Sequence, residues 1–137
     1  MATNTAATSA RQYHQQMVHF LRKRITFADA GTTVTVGTIP AGASVIGGGV
    51  HIVTAFNGGG TDLLDVGFVG GTTDADGYAT LLELAAVGYI VLDELAATTN
   101  IQQSVDTTVT CLYTDSSSNS TAGAADVIVM FVPDIDQ

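Results

Sequence analysis

"TVTVGTIPAGASVIGGGVHIVTAFNGGGTDLLDVGF", residues 33 to 68, is the stretch from which the fold follows. Thr33 and Thr35 alternate with Val34 and Val36, and Pro40-Ala-Gly42 closes the run with turn residues. A period of two ended by a turn predicts a strand over 32–39. Gly47-Gly-Gly49 reads as a turn. Beyond it Val50, Ile52, Thr54 and Phe56 share one side and His51, Val53 and Ala55 the other, before Asn57-Gly-Gly-Gly60 breaks the chain. This is a second strand, and Leu63 to Val69 supplies a third after the turn.

The same reading extends toward the C-terminus. Gly70 to Gly77 predicts a long loop, and Tyr78 to Ala97 a helical turn or short helix followed by a strand at Tyr89-Ile-Val-Leu92. Val105, Thr107, Val109, Cys111 and Tyr113 alternate with Asp106, Thr108 and Thr110, which predicts a strand with one wet face and Cys111 pointing inward. Asp115 to Gly123 is polar enough for a loop. Val127 to Val132, apolar at every position, predicts a central strand covered on both sides. Seven or eight short strands with Gly- and Ser-rich turns indicate an all-β fold, an antiparallel β-sandwich of jelly-roll-like type.

The N-terminal end carries a different pattern. Ser9 and Gln12 have capping-box spacing, and Tyr13, Met17, Phe20 and Leu21 follow at i, i+4, i+7 and i+8, so an amphipathic helix is expected from about 10 to 23. The chain then divides into an N-terminal helical arm, residues 1–24, and a sandwich domain, residues 25–137. A helix this short does not persist alone in water, so its apolar face needs either the body or another subunit to cover.

Composition narrows the function. The chain has 137 residues, 46% of them hydrophobic and only 12% charged, which fits one folded domain and excludes disorder. Four Lys and Arg stand against 13 Asp and Glu, a net charge of −9. All four cations, Arg11, Arg22, Lys23 and Arg24, precede residue 25, and every acid follows it. An acidic body repels phosphate backbones, so nucleic acid is not an expected partner and a basic surface fits better. Leu84 to Leu92, the longest strongly apolar stretch, falls far short of the roughly 20 residues that span a bilayer, so no membrane association is expected. The lone Cys111 allows no internal disulfide, and synthesis in a cytoplasm is the default.

No catalytic constellation is legible. His14 and His19 lie five apart and do not share a helical face, and His51 sits on a strand; no nucleophile, base and orienting group converge. Asp74, Asp76, Gly77 and Glu83 fall at the third, fifth, sixth and twelfth positions of a calcium loop, but Thr72 stands where the leading Asp belongs and Gly67 to Gly71 cannot form the incoming helix. Neither a metal nor another cofactor is expected, and the chain does not read as an enzyme.

Residues 33 to 68 together with DGYATLLELAAVGY, residues 76 to 89, resemble a group of small virion structural proteins of tailed bacteriophages. The shared order is a strand, an Ile-Pro-Ala-Gly turn, a strand ending in Ala-Phe-Asn-Gly-Gly, and a strand with Asp-Val-Gly. The resemblance implies a capsid decoration, or cement, protein: a β-sandwich, commonly a homotrimer, that binds the outer capsid surface of the virion and clamps subunits of the major capsid protein. Similar sandwiches serve in head fibres and tails, and a carbohydrate- or calcium-binding module is the reading from another class. On the decoration reading, Tyr13, Met17, Phe20, Leu21, Arg22, Lys23 and Arg24 are the residues expected to dock the chain on its partner or on a neighbouring copy.

Overall fold

A computed structural model of the chain describes residues 17–98 and 100–134. Eight strands run in order: β1 (His19–Thr26), β2 (Thr33–Ile39), β3 (Ser44–Thr54), β4 (Asp62–Val69), β5 (Thr73–Glu83), β6 (Gly88–Val91), β7 (Thr107–Asp115) and β8 (Ala124–Val132). A single 3-10 turn, Phe27–Asp29, separates the first two. The strands form two four-stranded antiparallel sheets, β1-β8-β3-β6 and β2-β7-β4-β5. Every connection except β4–β5, which pair within the second sheet, passes from one sheet to the other, as in a jelly roll. No helix among the described residues is long and apolar enough to cross a membrane.

Between the sheets lies one apolar core. Val50, Ile52, Val127 and Val129 reach into it from the first sheet, and Leu64, Val66, Phe68 and Val109 from the second, all buried. Burying each such side chain stabilises the fold by about 1.5 to 3 kcal/mol. Cys111 points inward, as its alternation requires.

Four expectations need correction. The helix expected over 10–23 is replaced, over 19–23, by strand β1, which pairs with β8 from His19↔Phe131 to Thr26↔Ala124; residues 10–16 lie outside the described residues. Residues 19–24 are therefore part of the first sheet and not of a separate helical arm. Gly47-Gly-Gly49 is not a turn but the middle of β3. Gly48 has φ +138°, and a Cβ there would stand 2.2 Å from the Ile128 carbonyl oxygen, so only glycine lets β3 and β8 close. Residues 73–83, expected as loop and then helical turn, form the long strand β5, in which Tyr78, Leu82 and Leu84 just beyond it are buried. Tertiary burial overrides the helix propensity of Leu, Ala and Glu here.

The fourth concerns β8. It is central, but within 127–132 only Val127, Val129 and Phe131 are buried; Ile128 and Met130 on the other side are half-buried, and no second layer among the described residues covers them. One side of the first sheet thus carries apolar residues toward solvent.

Candidate interaction surface

The surface is built on β1. Alternation sends Leu21 and Ile25 inward, Ile25 into the core and Leu21 against Gly37 of β2, where a Cβ would stand 2.8 Å from the leucine side chain. Phe20, Arg22 and Arg24 point outward, opposite Met130, Ile128 and Asp126. Phe20 is 64% exposed, and Met17 and Val18 before it are exposed as well.

Asp126 organises the cations. It is 1% exposed, and its carboxylate accepts two hydrogen bonds from Arg24, 2.7 Å from Nε to Oδ1 and 2.9 Å from Nη2 to Oδ2, with a third from Arg22 Nη2 at 2.5 Å. The fork of Arg24 matches the carboxylate geometry, which is why an arginine and not a lysine stands there. Hydrogen bonding from Arg24 first, opposed by burial and then aided by Arg22, holds the Asp126 carboxyl down at about 2. The same contact raises Arg24. Lys23 is exposed and forms no ion pair among the described residues. Two arginines on one acid, plus Lys23, leave the β1 edge net positive.

Of the expected docking residues, the structure brings Met17, Phe20, Arg22, Lys23 and Arg24 onto one exposed edge and commits Leu21 to packing; Tyr13 lies outside the described residues. Asp126 was not legible as their partner, because 102 and 104 residues separate it from Arg24 and Arg22.

The outward side continues across the sheet. Tyr89 of β6 lies over Gly49, where a Cβ would meet its ring at 2.4 Å, and Val91 stands opposite the same glycine. Ile46, at the bulge of β3, is exposed as well.

Candidate chemistry elsewhere resolves into structure. His19 stacks on Phe131 with ring centroids 5.7 Å apart, and burial pushes the Cys111 thiol up to about 12, far from a nucleophile's range. His14 lies outside the described residues. The calcium-like spacing fails because β5 is extended: at about 3.3 Å per residue Glu83 lies on the order of 20 Å from Asp76. Among the described residues no group of three or more His, Cys, Asp or Glu could hold a metal.

Two buried acids fasten the loops at one end of the sandwich. Asp62 accepts from Tyr113 Oη at 2.5 Å, from the Gly58 N–H at 2.9 Å and from Ser120 Oγ at 3.2 Å. Asp115 accepts the N–H groups of Ser117, Asn119 and Ser120 at 2.7 to 2.9 Å. Burial first, then the bond to Asp62, raises the Tyr113 phenol, while the Ser120 N–H leads the contacts that lower Asp115. Each carboxylate oxygen of Asp62 and Asp115 accepts a hydrogen bond from within the chain.

No family model and no curated protein matches the sequence. The fold is shared with chains of three solved phage capsids. One from the capsid of Ralstonia phage GP4 has a TM-score of 0.65 at 18% identity, covering 97% of this chain and 91% of that one. One from the capsid asymmetric unit of cyanophage Pam1 has a TM-score of 0.65 at 20% identity, covering 95% and 94%. One from the acidic stable capsid of Helicobacter pylori bacteriophage KHP30 has a TM-score of 0.62 at 16% identity, covering 83% and 86%.

Proposed function

We propose that this chain is a bacteriophage virion structural protein, a capsid decoration protein that binds the outer capsid surface and stabilises the head by bridging subunits of the major capsid protein. The observation that carries the reading is a fold matched along nearly its whole length by chains of phage capsids. The apolar side of the first sheet, left uncovered by the described residues, supports it, since such a surface is characteristic of a protein that works by contact. The chain acts without catalysis or a cofactor, binds neither nucleic acid nor membrane, and assembles as a homotrimer. Its docking residues are Met17, Phe20, Arg22, Lys23 and Arg24, with Tyr13 ahead of them.

Purified capsids lacking the protein provide the test. Saturable co-sedimentation, external density at regular positions by cryo-EM and a raised shell melting temperature are expected. Absence of binding to shells, or density confined to head fibres or tail, overturns the decoration reading.

A further inference from the structure

The two sides of the sandwich whose edge strands have no further strand partner among the described residues differ in charge and agree in greasiness. β1 closes the first sheet at one side, and β6, with β5 of the second sheet beside it, closes the molecule at the other. On the β1 side stand Arg22, Lys23 and Arg24 with exposed Met17 and Phe20. On the far side Tyr89 and Val91 are exposed on a strand, Gly88–Val91, that has no charged side chain. Acids flank that strand. Asp76 and Asp93 meet at Thr80, through its Oγ1 at 2.9 Å and its N–H at 3.1 Å respectively, the Glu94 N–H bonds the Tyr78 carbonyl at 3.1 Å, and exposed Glu83 ends β5. No Lys or Arg follows Arg24 anywhere in the chain.

We infer that copies of this chain associate head to tail, the basic β1 edge of one copy lying along the acidic, apolar β5–β6 edge of the next. The inference deepens the self-assembly part of the reading above and rests on it. Cations on an edge strand ordinarily serve to repel other strands. Here they repel a second β1, which disfavours a two-fold pairing of identical edges, while the oppositely charged edge accepts them. Phe20 and Val91, 64% and 61% exposed, supply apolar area on both partners. A head-to-tail contact of unlike surfaces generates a closed ring when its rotation closes, which is what a trimer requires.

Charge reversal at positions with no side-chain bond tests this. The basic edge is reversed by Phe20→Glu with Lys23→Glu, and the far edge by Glu83→Lys with Val91→Lys. Sedimentation velocity of the full chain is expected to give a closed oligomer for the parent and a loss of association of at least about tenfold for either reversal. The chain carrying both reversals is expected to regain the oligomer. A monomeric parent at tens of micromolar, an unchanged mass for both reversals, or no recovery in the combined chain overturns the inference. Should a reversed edge fail to fold by circular dichroism, Phe20→Ser and Val91→Ser at the same exposed positions replace it, and an undiminished oligomer in both overturns the proposal equally. Shell binding by the parent is scored separately: an oligomer that ignores capsids sinks only the decoration reading, and a monomer that binds them sinks only this one.

Discussion

On the outward side of the second sheet Thr35 stands opposite Thr110, and Thr38 opposite Thr108; on the outward side of the first, Phe20 stands opposite Met130 and Arg22 opposite Ile128. Backbone spacing and pairing are alike, so both sides satisfy the strand equally well. Threonine is a strand former that is content in water, and a row of it marks a side that ends at solvent. Phe20, 64% exposed, gains little from that position within one copy, and Met130 and Ile128 are only half-buried. The contrast teaches that, along these paired strands, the first sheet places apolar side chains outward where the second places threonine.

Four substitutions break or sharpen the contrast. The largest effect is expected from Gly48→Ala, which drives a methyl into the Ile128 carbonyl and forces β3 off β8; a loss of about 3 kcal/mol in denaturant unfolding is expected. The Asp126→Asn change removes the acid that ties both arginines and is expected to cost about 2 kcal/mol at neutral pH, less than a fully buried pair would, because both arginines are half exposed and regain water. The sign of its pH dependence follows from a folded value near 2, below the ordinary 3.8. The stabilisation is present above about pH 4 and is lost as pH falls toward 2, and the variant's unfolding profile should be flatter across that window. Tyr113→Phe leaves Asp62 with the Gly58 and Ser120 donors and is expected to cost about 1 kcal/mol, with faster hydrogen exchange confined to the 57–61 and 116–123 loops. Smallest is Thr110→Val on the solvated side, within about 0.5 kcal/mol in thermal unfolding; a larger change would mean that this side, too, has a partner.

The strands 33–39, 62–69 and 107–115 were legible because one side of each is buried and the alternation survives in the letters. β1 was not. Its outward residues are Phe20, Arg22 and Arg24 and its inward ones Leu21, Lys23 and Ile25, so long cations occupy both sides and blur the period of two, while Met17, Phe20 and Leu21 satisfy a helical spacing equally well. Gly47-Gly-Gly49 carries the local signature of a turn, and only the approach of the Ile128 backbone and the Tyr89 ring explains its place in a strand. The basic cluster was visible as a cluster; its pairing with Asp126 was not, since nothing local links residues so far apart.

The pairing of the first strand with the last also has a consequence in time. During synthesis β1 emerges first, and the carboxylate that holds its arginines follows 102 to 104 residues later. Contacts that span most of the chain close slowly, because the entropy of bringing the ends together is lost before any bond rewards it. Until β8 arrives, the most basic segment of an otherwise acidic chain lacks the carboxylate that binds its arginines. The Arg–Asp126 clamp forms only once β8 is in place, and it then ties β1 to the last strand of the sandwich.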